Sequence, residues 1–138
     1  MLKSYGRSLV LIMVVIAIAA LTLRLVIDQI IKLDITQNES NAAVTLKFIS
    51  AALENYAKAN SGTFPADLAL LTQNNPPYLD KEYTVKSQTK GYNFNYQRLD
   101  PSGYSCSAIP TRCGLTGKRS YTISSGGTLV SEECSKKE

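Results

Sequence analysis

Hydrophobic and polar positions divide the chain into three stretches. From Ser8 to Ile31, nineteen of 24 residues are apolar, and the sixteen from Ser8 to Leu23 carry no charge. Farther on, the apolar positions thin to a single line. Ala42, Leu46, Ile49, Leu53 and Tyr56/Ala57 recur in steps of three and four, which is the spacing of one helix face. Glu39, Lys47, Glu54 and Lys58 fall on the other faces. No Pro or Gly lies between Arg7 and Ser61, so nothing stops a helix there. One continuous helix is therefore predicted, apolar nearly all round at first and amphipathic later. Asn60-Ser61-Gly62 supplies its C-terminus. At 1.5 Å per residue such a helix is about 80 Å long.

Beyond Gly62 the pattern changes. Pro65 suits the first position of a short helix, with Leu68 and Leu71 turned back onto the long one. Asn74-Asn75-Pro76-Pro77 reads as a loop, and Tyr83–Lys86 as a short strand. Tyr92, Phe94 and Tyr96 alternate with Asn93, Asn95 and Gln97, a strand with one buried face. Asp100-Pro101-Ser102-Gly103 is a turn. Tyr104, Cys106 and Ala108 alternate again up to Pro110. Ser120–Ile123 and Thr128–Val130 flank Gly126-Gly127, as in a tight hairpin. The fold class expected is α+β: a long N-terminal helix laid on a small antiparallel sheet of three to four strands. Neither layer could bury its apolar face alone. Ser135–Glu138 is a charged tail.

Charge sharpens this division. The 138 residues carry a net charge of +4. Residues 1–33 hold Lys3, Arg7, Arg24 and Lys32 against Asp28, a net +3, which leaves +1 for residues 34–138. The basic excess therefore surrounds the apolar segment and gives no sign of a nucleic-acid partner. Leu9–Ile31 reaches the roughly 20 residues that cross a bilayer if Arg24 snorkels. Arg24 and Asp28 are also spaced to share one helix face. Lys3 and Arg7 ahead of the segment favour a cytoplasmic N-terminus and an exported remainder. A cleaved secretory signal is the competing reading, and no small-residue site with a following break supports it.

The N-terminal residues also carry a resemblance. Gly6-Arg7-Ser8-Leu9-Val10-Leu11-Ile12-Met13-Val14-Val15-Ile16-Ala17-Ile18 resembles the class III signal of type IV pilins and type II secretion pseudopilins. Tyr56, then Gly62-Thr63-Phe64-Pro65 and Leu68/Leu71, is similar to the segment after the family's long helix. Gly117–Ile123 followed by Gly127–Val130 is similar to its last hairpin. The resemblance implies a leader over 1–6 and a membrane and filament-core half-helix over 7–33. Residues 34–138 would then be an exported pilin-like head. It implies cleavage by prepilin peptidase between Gly6 and Arg7, and methylation of the new amine. Leu9, Leu11, Met13, Val14 and Ile18 would pack against membrane and then against other pilin-like subunits. Two positions depart from the family: Arg7 stands in place of an aromatic residue, and Leu11 in place of a glutamate. That glutamate is thought to neutralise a neighbour's terminal amine, which Leu11 cannot do. The substitution raises a minor or initiating role.

Three cysteines in an exported domain allow one disulfide and one leftover thiol. Cys113–Cys134, Cys106–Cys113 and Cys106–Cys134 are all open on the residues alone; the family resemblance favours Cys113 with Cys134. That bond would close the last hairpin, with a stabilisation of about 3 kcal/mol. The alternating aromatic residues could form a nucleic-acid platform, but the alternation favours a core. Asp100, Glu132 and Glu133 lack a calcium-loop spacing. Asn38-Glu39-Ser40 fits a glycosylation sequon within a predicted helix. There is no His, no nucleophile elbow and no phosphate loop, so neither an enzyme nor a cofactor or metal is expected. The expectation is a single-pass inner-membrane subunit of a pilus-like or secretion-type filament, its head periplasmic or extracellular. The alternative is an uncleaved anchored binding module with the same fold.

Overall fold

The absence of helix breakers has the predicted consequence. In the computed structural model, which describes residues 3–83 and 90–135, a single helix α1 runs over Lys3–Ala59. It starts ahead of the expected leader boundary, so Gly6 and Arg7 lie inside it. A lone glycine costs a helix only about 1 kcal/mol, which the flanking apolar residues of good propensity offset. At the other end, Gly62 N donates to Ala57 O at 2.7 Å, and Asn60 Nδ2 caps Tyr56 O at 2.8 Å. Ser61 and Gly62 take left-handed φ values of 56° and 80°, so the chain turns out of the helix there.

The chain divides into two units, Met1–Asp34 and Ile35–Glu138. The second unit is an α+β layout. Its part of α1 packs on a four-stranded antiparallel sheet ordered β1-β2-β3-β4, with β1 Tyr92–Asp100, β2 Gly103–Pro110, β3 Arg119–Ser124 and β4 Leu129–Glu133. The register places Phe94 opposite Ala108 and Tyr96 opposite Cys106, and then Cys106 opposite Ile123. One face of the sheet thus collects Tyr92, Phe94, Tyr104, Cys106, Ala108 and Ile123, all buried. They meet Ala42, Leu46, Ile49, Leu53 and Ala57 of the helix in one cluster. Both halves of the predicted core are present and cover each other. The β3–β4 turn needs glycine, because Gly126 and Gly127 stand at φ 89° and 76°.

The connection between helix and sheet departs from expectation. The short helix α2 spans Ala69–Gln73, and Pro65 does not open it. Phe64 N donates to Pro101 O at 2.8 Å, the Tyr96 hydroxyl donates to Pro65 O at 2.6 Å, and Arg98 reaches Phe64 O at 3.2 Å. Those bonds tie residues 64–65 to the β1–β2 hairpin and hold them out of a helix. Leu68 and Leu71 are buried in the core as expected. The strand expected over Tyr83–Lys86 lies, beyond Tyr83, outside the described residues, as does the tail after Ser135.

Candidate functional site

Among the described residues, the first unit presents an exposed apolar surface. Leu9, Leu11, Met13, Val14 and Ile18 are 61%, 67%, 65%, 51% and 57% exposed. At about 100° per residue these five positions span about 200° of the circumference, wider than a single helix face. The same exposure continues through Leu21, Leu25, Ile30 and Leu33. This helix is long and apolar enough to cross a membrane. The Thr22 hydroxyl within the uncharged run is satisfied by Ala19 O at 2.9 Å within the helix itself. Gly6 and Arg7 are both exposed, and Gly6 has no atom near the place of a Cβ. Arg24 and Asp28 are exposed too. The surface can therefore exchange water for lipid or for other helices at little polar cost, except at those charges.

The second unit is fastened by polar groups at its margins. The Glu39 carboxylate accepts the Lys118 backbone N–H at 2.7 Å, and Asn38 Nδ2 donates to Thr116 O at 3.1 Å. Glu54 accepts from Gly126 N at 3.2 Å. Two helix carboxylates therefore hold two loops of the sheet. Glu39 and Glu54, expected on the other faces of the helix, flank the buried line closely enough to reach backbone. Asn38, the sequon residue, is engaged in the same clamp. Inside, the Ser50 and Tyr104 hydroxyls share a hydrogen bond of 2.8 Å. Ser50 is buried, and its bond to Tyr104 satisfies both groups. No periodicity signals that pair, because it joins residues 54 apart.

Cys113 and Cys134 form a disulfide with Cα atoms 5.8 Å apart, which settles the pairing among the three alternatives. It links the loop after β2 to the end of β4. Gly117 in that loop lies under the Tyr92 ring, where a Cβ would collide with the phenol. Cys106 is the free thiol, and burial raises it from its ordinary 9.0 to about 12. Burial also pushes Tyr96 up to about 12 and raises Tyr92 and Tyr104. These groups are core, and the aromatic ladder of β1 faces the helix rather than solvent. Asp100 is a turn residue: its carboxylate accepts from Ser102 N and Ser102 Oγ, both at 2.8 Å, and those bonds lower its pKa. Glu132 and Glu133 are exposed on β4. They line an open groove with Arg112, Ile109 and Leu115. Among the described residues, no three of His, Cys, Asp or Glu converge as a metal site.

No protein-family model, curated protein or solved structure matches the chain.

Proposed function

We propose that this chain is a structural subunit of a type IV pilus-like or type II secretion pseudopilus-like filament, in which Leu11 raises a minor or initiating role. One observation carries the reading: a single unbroken helix bears apolar side chains exposed on every side and, from Ile35, becomes one layer of a folded head. A simple tether needs only the first property. A soluble core helix would have its apolar residues covered. The combination suits a subunit that waits in the inner membrane, N-terminus inside, and then exchanges lipid contacts for neighbouring helices. Prepilin peptidase would act between Gly6 and Arg7, and the new amine would be methylated. The head would face the periplasm and later the filament surface.

A second reading has a specific observation in its favour. Because α1 runs unbroken through Gly6 and Arg7, the scissile bond has helical neighbours on both sides. Cleavage then requires local unwinding, for which Gly6 is the weakest point. An uncleaved, singly anchored binding module would keep this helix whole, and Leu11 would carry no penalty in it. Intact-mass measurement of the protein from native membranes separates the two. A chain starting at methylated Arg7 supports the filament subunit. A mature chain starting at Met1 rejects it in favour of the anchor.

A further inference from the structure

The uncharged stretch of the first unit has a defined length. Arg7 and Arg24, both exposed on α1, bound the sixteen uncharged residues Ser8–Leu23. At 1.5 Å per residue the two arginines stand about 25 Å apart along the axis. The hydrocarbon core of an ordinary bilayer is about 30 Å thick. The run is therefore short by about 5 Å, close to one helical turn. Cleavage between Gly6 and Arg7 would leave that shortfall unchanged, because Arg7 then carries the terminal amine as well.

Two placements compete for this helix. The span Leu9–Ile31 fills an ordinary core, but it sinks Arg24 about 10 Å and Asp28 about 5 Å below the level of Ile31. The long Arg24 side chain can reach back toward the surface, whereas the short Asp28 carboxylate stays close to its backbone. Pairing the two across one turn lowers the cost without returning either charge to water. The span Ser8–Leu23 keeps both charges at headgroup level and thins the bilayer instead. Thinning costs little per ångström, and an immersed charge costs far more. Tilting is no remedy, because tilt shortens the reach of a run that is already short. No kink intervenes either, since α1 is one unbroken helix through this region. Beyond Leu23, Val26, Ile27, Ile30 and Leu33 gather on one side of the helix and Arg24 and Asp28 on the other. That two-sided stretch suits the headgroup layer better than hydrocarbon. We propose that the membrane partner of this helix is a bilayer locally thinned to about 25 Å of hydrocarbon, with Arg24 as the limit of the buried segment on the head side. The inference rests on the membrane-spanning reading of α1 and not on the filament. The same mismatch loosens the hold of an ordinary bilayer on the helix, so withdrawal from it costs less.

The test reconstitutes the full-length chain from detergent into phosphatidylcholine vesicles whose acyl chains lengthen in steps, so that hydrocarbon thickness rises from about 20 to about 35 Å. The carbonate-resistant fraction reads insertion at each thickness. Insertion of the unaltered chain is expected to peak at about 25 Å. Arg24→Leu extends the uncharged run to Ser8–Ile27, and it should move the peak by about 6 Å toward thicker bilayers. Arg24→Lys keeps the charge and should leave the peak in place. Thr22→Leu should leave it in place too, because it adds apolar surface without lengthening the run. A peak at about 30 Å that Arg24→Leu does not move means that Arg24 lies immersed in the longer span. That result overturns the proposal and leaves the membrane-spanning helix standing. Insertion indifferent to thickness overturns it as well. No insertion at any thickness removes the membrane-spanning reading itself. The filament reading is decided separately, by the mature N-terminus.

Discussion

Leu11 and Leu46 belong to the same helix, yet one is 67% exposed and the other is fully buried. Backbone geometry does not distinguish them; the polar residues around them do. Near Leu46 the other faces of the helix mix Lys47, Glu54 and Glu39 with the exposed Val44 and Phe48, and the small sheet covers the one continuous apolar line. Near Leu11 the side chains on every side are apolar, and a sheet could cover only one of them. The helix thus has two solvents in view. One half is completed by its own chain, and the other is completed by whatever replaces water.

Substitutions in the two halves should therefore be read by different instruments. Leu46→Ala or Leu53→Ala leaves a cavity in the shared core and should cost about 2–5 kcal/mol in denaturant unfolding of the detergent-solubilised chain. Leu11→Ala should leave that midpoint in place. Ile18→Lys should likewise spare the head while weakening membrane insertion by about 3 kcal/mol, scored as the fraction of chain recovered with membranes. If Ile18→Lys unfolded the head, the two halves would not be energetically separate.

Next in size is the disulfide. It closes a separation of 21 residues, for which the chain-entropy relation gives about 3 kcal/mol. Cys113→Ser together with Cys134→Ser should lower the unfolding midpoint of the head by that order and leave membrane association unchanged. A midpoint insensitive to reduction would place the stability of the last hairpin elsewhere, chiefly in the Glu39 and Glu54 clamps.

The smallest effect at neutral pH is confined to alkali. Cys106 and Tyr96, at about 12, and the raised Tyr92 and Tyr104 hold their protons more tightly folded than unfolded. Their contribution is intact below the ordinary thiol value of 9.0 and is lost as pH climbs toward 12. Urea midpoints measured across that interval should fall steadily, and Cys106→Ala should delay the onset of the fall. A midpoint flat over the same range would contradict the burial of these groups.

What could be read from the sequence was whatever repeats locally. The line Leu46, Ile49, Leu53 and the alternation Tyr92, Phe94 and Tyr104, Cys106, Ala108 each state a period, and each is in the core. Gly126-Gly127 announces a turn that requires positive φ. What stayed hidden depends on distant partners. Pro65 has the chemistry of a helix start, but Pro101, Tyr96 and Arg98 claim the backbone of residues 64–65 first. Glu39 has the composition of a solvated face, and only the fold brings Lys118 to it, 79 residues away. The candidate packing residues were legible as apolar. Their partner was not, because no periodicity within one chain names the occupant of its outer surface.

The order of elements has a consequence in time. Every strand of the sheet follows α1 in the chain, and β1 begins at Tyr92, well after Leu46, Ile49 and Leu53 have been synthesised. The sheet itself is a simple meander whose neighbours are consecutive, which favours rapid pairing once its residues are available. The helix, by contrast, presents a bare apolar line that stays unpaired until dozens of further residues arrive. During that interval the line is open to mispairing with other emerging chains. The rate at which the later residues arrive, as much as the stability of the finished head, then decides how many chains reach their native form.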